Sequence, residues 1–131
     1  MMRPPPSLPA LAALAVLAVG AASGPARADG DPAAGEKAFR QCRSCHAVEP
    51  DKNRVGPSLH GVVGRKAGSA PGFAGYSEGL KGAGFVWDDG RLDAYLTNPK
   101  ALIADSRMSF AGLSAAEERA NVIAFLKTLG R

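Results

Sequence analysis

Residues 56 to 90 contain ten glycines, with Pro57 and Pro71 among them, and no other stretch limits so strongly what this chain can fold into. Glycine loses the most backbone freedom on ordering, and proline brings no amide hydrogen to a helix or ladder. The segment therefore cannot build a regular core from its own propensities. It is equally too apolar for disorder, since Leu59, Val62, Val63, Phe73, Tyr76, Phe85, Val86 and Trp87 all lie within it. A loop of this length inside a small domain needs a surface to pack on.

The pentapeptide upstream, Cys42-Arg43-Ser44-Cys45-His46, suggests what that surface is. Two thiols three residues apart can each form a thioether to a vinyl group of one haem. His46, a helical turn from Cys42, can then offer a neutral imidazole to the iron. A redox dithiol or half of a zinc site are the competing readings. The chain holds only Cys42, Cys45, His46 and His60 as cysteine or histidine ligands, without paired zinc spacing, and no βαβ pattern surrounds the cysteines. The residues favour one haem c per chain, attached through Cys42 and Cys45, with the planar group forming half the core.

The amino terminus agrees with that chemistry. Arg3 precedes a 15-residue apolar run at 8 to 22, and Ala26-Arg27-Ala28 makes a small-x-small cleavage site before Asp29. Residues 1–28 read as a secretory leader cleaved after Ala28, and 29–131 as a single domain. The run is short for a membrane span and Pro9 interrupts it, although a retained anchor is the alternative. Cleavage removes Arg3 and Arg27, so 16 basic residues become 14 against 12 acidic ones. That near balance, with Lys and Arg scattered, excludes a nucleic-acid footprint.

Three main helices are expected in the 103 residues that remain. The first is capped by Asp31, starts with Pro32 and places Gly35, Phe39 and Cys42 on one face. The second runs from about Asp89 to Thr97 with Leu92, Tyr95 and Leu96 inward, closed by Asn98-Pro99. The third opens on a Ser114/Glu117 capping box, carries a stripe of Val122, Phe125, Leu126 and Leu129, and stops at Gly130. Gly35 and Phe39 are expected to meet Val122 and Phe125 where the outer helices cross. The fold class is all-α, with long Gly-rich loops wrapped around the haem.

A second iron ligand follows by elimination. Met1 and Met2 leave with the leader, so Met108 is the only thioether of the mature chain, in a loop over residues 106 to 111. His60 is the rival, in a turn bounded by glycine and proline. A core methionine would sit on an apolar helical face, whereas Met108 is flanked by Arg107 and Ser109. Nitrogen and sulfur together would close both axial positions and favour ferrous iron. Such a protein carries electrons and has no open site for catalysis.

From residue 35 to 127 the sequence resembles class I cytochrome c, the mitochondrial group and its short soluble bacterial relatives. The matching runs are the pentapeptide, Gly56-Pro57-Ser58-Leu59-His60-Gly61, Gly64-Arg65-Lys66, Pro71-Gly72-Phe73 and Trp87. They continue with Tyr95-Leu96-Thr97-Asn98-Pro99-Lys100, Met108-Ser109-Phe110-Ala111-Gly112 and the helix from Glu118 to Leu126. The resemblance implies that His46 and Met108 bind iron and that the Pro57 carbonyl holds the His46 ring. It implies further that Arg65, Tyr76 and Trp87 neighbour one propionate, Tyr95 bonds near the sulfur, and Ser106 stands near the other propionate, with His60 on the surface.

The resemblance also implies assembly outside the cytoplasmic membrane, a monomer, and a periplasmic shuttle. Its partners would be a quinol-oxidising complex and a terminal oxidase or photosynthetic reaction centre, met transiently at the exposed haem edge. Alternatives are a dedicated acceptor for one periplasmic dehydrogenase, a ligand-binding or peroxidase-type haem protein, and a thiol–disulfide protein. Mitochondrial relatives surround the haem edge with lysines. Here Ser114-Ala115-Ala116 and Gln41 replace several, leaving Lys52, Arg54, Lys100 and Arg107 with Arg40 and Arg43 nearby. A weak basic patch and a small salt dependence of docking are expected.

Overall fold

A computed structural model of the chain describes residues 1–7, 9, 20 and 29–130. Apart from Pro9 and Gly20, the expected leader run and its cleavage site lie outside the described residues. Among the described residues, five α-helices follow in order: α1 Pro32–Ala38, α2 Glu78–Lys81, α3 Asp89–Thr97, α4 Pro99–Leu102 and α5 Ala116–Lys127. A 3₁₀ turn, Phe39–Cys42, extends α1 directly into the cysteine motif.

The frame is the crossing of α1 and α5. Asp31 caps α1 by accepting from the Ala33 amide at 2.9 Å, and Pro32 occupies the first turn, where its missing N–H leaves nothing unsatisfied. Gly35 lets the helices touch, because a Cβ there would collide with the Asn121 carbonyl. Phe39, 1% exposed, then meets Phe125 with ring centroids 5.1 Å apart. The α5 stripe buries Val122, Phe125 and Leu126 as expected and Ile123 in addition. Leu129 lies past the helix end and is half-buried, and Gly130 turns the chain with a left-handed φ of 75°.

One expected cap does not form. The amino-terminal cap of α5 is Ala115, with no side-chain hydrogen bond, so the Ser114/Glu117 box is corrected. Arg119 reaches back instead, donating to the carbonyls of Leu113 and Ser114 at 2.8 and 3.0 Å. That fork holds the incoming chain, and the helix begins one residue later.

Helix α3 has the expected bounds and inward face, with the Asp88 carboxylate accepting from the Arg91 amide at 2.7 Å. Pro99 closes it and at once opens α4. Helix α2, absent from the sequence reading, forms where the Ser77 hydroxyl caps the Leu80 amide. The Gly-rich segment otherwise remains loop. Within it, Trp87 donates to the Arg65 carbonyl at 2.9 Å and Gly64 to the Trp87 carbonyl at 2.7 Å. Lys66 and Val86 make an antiparallel bridge on the outside. Val86, expected against the cofactor, is therefore 49% exposed, because its neighbour Trp87 takes the inward face.

Candidate haem-binding site

The helices and loops enclose a cavity of about 250 Å³. Its wall includes Cys42, Cys45, His46, Pro57, Arg65, Tyr76, Trp87, Tyr95 and Met108, which is every residue assigned to the haem site from the sequence except Ser106. His60, the rival ligand, is not on the wall. It is half-buried, with its ring against Gly130.

The cysteine motif reaches the cavity by continuing the 3₁₀ turn. The Cys42 carbonyl accepts from the Cys45 and His46 amides at 3.1 and 2.9 Å, so the backbone curls and presents three side chains together. Burial pushes the pKa of the Cys42 thiol up, helped by Cys45 and Glu118. His46 Nδ1–H donates to the Pro57 carbonyl at 2.7 Å. That bond commits one ring nitrogen and leaves the lone pair of Nε2 available. Burial lowers the imidazole pKa and outweighs the Pro57 bond, with Arg65 acting in the same direction as burial. Gly56 abuts the ring face, where a Cβ would meet it.

Arg65 Nη1 donates to the carbonyls of Ser58 and His60 at 2.9 and 3.1 Å. Its Nε is buried and has no partner among the described residues. Burial lowers the guanidinium pKa, opposed by the Tyr76 phenol beside it. Tyr76 is itself held by the Ala70 amide at 3.0 Å. Trp87 stacks obliquely on Tyr95 with centroids 5.1 Å apart. The Tyr95 hydroxyl pairs with Ser106 Oγ at 2.7 Å, and burial raises its pKa against that bond. Ser106 stands one layer behind the wall, buried, and accepts weakly from the Met108 amide at 3.4 Å.

Several lining residues escaped sequence reasoning, beyond Gln41 and Arg107, which the sequence already places at the haem edge. The mouth is formed by exposed Gln41, Ser44, Val55, Gly75, Arg107 and Ser109, and inside lie Leu80 and Phe110. Phe110 carried a usable signal, an apolar residue two positions after Met108. Val55, 78% exposed, carried none.

The sequence matches the cytochrome c family model over residues 32–130. The chain belongs to the cytochrome c family. It is 52% identical to cytochrome c2 of Rhodomicrobium vannielii over 114 residues, covering 84% of this chain and 90% of that one. It is 47% identical to cytochrome c-554 of Methylosinus trichosporium, covering 82% of each. Among solved structures, cytochrome cH from Methylobacterium extorquens superposes with a TM-score of 0.71 at 47% identity, covering 76% of this chain and 99% of that one.

Its cofactor is haem c, attached through Cys42 and Cys45, and the protein is an electron carrier. The cavity fits that group. Its wall is mostly apolar, and the orphaned Arg65 Nε is a buried cationic donor that needs an anionic oxygen, which a haem carboxylate supplies. Among the described residues, no helix is long and apolar enough to cross a membrane.

Proposed function

We propose that this cytochrome works as a periplasmic one-electron shuttle between a quinol-oxidising cytochrome complex and a terminal oxidase or photosynthetic reaction centre. In this reading the leader is removed after Ala28, and His46 and Met108 are the two iron ligands. When bound, haem c supplies exchange of a single electron between the ferrous and ferric states. The observation that carries the reading is the pairing on one cavity wall of an imidazole with Nδ1 already committed to Pro57 and the only thioether of the mature chain. Two such donors leave no coordination position for a substrate, which favours a carrier over a peroxidase.

The remaining residues hold that state with little rearrangement. Pro57 fixes the imidazole, Arg65 offers positive charge to a buried carboxylate, and Trp87, Tyr95, Leu92, Leu96 and Phe39 keep water from the iron face. Docking at the mouth is supported by its sparsely charged rim, in which Arg107 is the one charged side chain among the described residues. Nearby basic residues are partly neutralised. Arg43 pairs with Glu36 at 3.6 Å and lies over the Phe39 ring, and Lys52 pairs with Glu49 at 3.9 Å. Transient partners would thus meet a weakly basic surface, and association should depend little on salt.

A redox titration followed by visible absorption tests the assignment, using the purified holoprotein and Met108→Ala. The native protein should titrate as one electron, show the weak far-red band of ferric haem with a thioether ligand, and refuse carbon monoxide at neutral pH. Met108→Ala should keep its haem, lose the band, fall in midpoint potential and bind carbon monoxide. An unchanged spectrum and potential in the variant would overturn the ligand assignment.

A further inference from the structure

We infer that Arg119, on α5, is a positioning residue that keeps Met108 on the iron by clamping the far end of its loop. The inference rests on the reading of Met108 as an iron ligand. Residues 103–115 have no regular structure, so the thioether is aimed by what holds the loop on either side of it, including the Asp105 carboxylate, which accepts from the Gly79 amide at 3.0 Å. Before Met108, the loop is held by the Ser106 hydroxyl on Tyr95. After it, Gly112 adopts φ 116° and lies so close to the Thr97 carbonyl that no Cβ would fit, and the Leu113 amide donates to the Leu96 carbonyl at 2.7 Å.

Arg119 completes that second anchor. Its side chain is 12% exposed, and one guanidinium serves three acceptors: Asp93 Oδ1 on α3 at 2.8 Å and the carbonyls of Leu113 and Ser114. The loop end is thereby tied to two helices at once. Removing the fork strips two carbonyls of their donor and leaves the Asp93 carboxylate without its partner. The loop then opens more often, and the sulfur leaves with it. Lys127 provides an internal comparison. It also joins α5 to α3, through Asp89 at 2.6 Å, but its ammonium bonds no carbonyl of the loop.

Titration of the ferric holoprotein with imidazole reads this opening, because imidazole binds iron only when the native ligand has left. Arg119→Gln should raise the apparent imidazole affinity about tenfold, whereas Lys127→Gln should leave it unchanged. If Arg119→Gln does not mature, Arg119→Lys should shift affinity in the same direction by less, since an ammonium cannot serve all three acceptors with the same fork. Met108→Ala should bind imidazole most tightly, and adding Arg119→Gln to it should change nothing further. Equal affinity in native protein and Met108→Ala would remove the ligand reading and this inference with it. Tight binding by Met108→Ala with no change in Arg119→Gln or Arg119→Lys would overturn the clamp alone. So would an Arg119 effect that persists without Met108, or an equal effect of Lys127→Gln.

Discussion

Replacing Gly56 by alanine should displace His46, the proposed iron ligand, by direct contact. An ideal Cβ at Gly56 would lie 2.7 Å from His46 Nδ1 and 2.8 Å from Nε2, well inside ordinary carbon–nitrogen contact. The ring cannot simply swing away, because Nδ1–H is bonded to the Pro57 carbonyl at 2.7 Å, and with His46 as an iron ligand, as proposed, the cofactor would hold its other side. Overpacking of this kind costs about 1–3 kcal/mol, and loss of the Pro57 bond adds about 1 kcal/mol. In a domain of this size each kcal/mol lowers the melting temperature by about 4–8 °C. The electronic effect is separable. The Pro57 bond makes the imidazole a stronger donor and so favours ferric iron, and its loss should raise the midpoint potential. A bond strengthened by about 1 kcal/mol on oxidation corresponds to a few tens of mV, since ~59 mV is tenfold for one electron. Denaturant unfolding and a redox titration on the same preparation measure both. If Gly56→Ala melted within about half a kcal/mol of the native protein and kept its potential, the packing argument at His46 would be wrong.

Phe39→Ala should destabilise by about 3–5 kcal/mol, because the ring is 1% exposed and stacks on Phe125 where α1 crosses α5; a denaturant midpoint that barely moves would show that the crossing does not depend on it. Asp105 predicts an acid dependence. Its carboxyl is held below the ordinary range, chiefly by the Gly79 amide at 3.0 Å, with help from Ser77 and Arg107. The unfolded chain therefore binds that proton more readily than the folded one. The stabilisation is fully present above the ordinary carboxylate value and disappears as pH falls through the lower folded value. Unfolding midpoints measured from neutral pH down past about pH 4 should fall less steeply in Asp105→Asn, and parallel curves would exclude this tie between the Met108 loop and α2.

Much of the site was legible because its chemistry is local. The pentapeptide declares its cofactor by spacing alone, and Asp31, Pro32, Asn98 and Pro99 mark helix ends through backbone constraints that operate within a few residues. The elimination that singled out Met108, which takes the leader with Met1 and Met2 to be removed, also needed no coordinates. The Ser114/Glu117 box was misread because the helix begins one residue later than the motif implies: Ala115 takes the cap position, and Arg119, from within the helix, holds the incoming chain by donating to the carbonyls of Leu113 and Ser114. Helix α2 was missed for a related reason. A single turn with two glycines nearby has little intrinsic stability, and it forms because Ser77 is buried against the cavity wall and Asp105 arrives from another loop.

The sequence by itself determined the prosthetic group, its attachment and the order of the main helices, since each depends on neighbours separated by only a few bonds. Only the tertiary structure decided which face of residues 85–87 turns inward, that Ser106 lies behind Tyr95, that His60 rests on Gly130, and that Arg65 keeps a buried nitrogen without a partner. Those outcomes depend on atoms brought together from distant parts of the chain. There, close approach and the need of each buried polar group for a partner select among arrangements that local preference leaves equal.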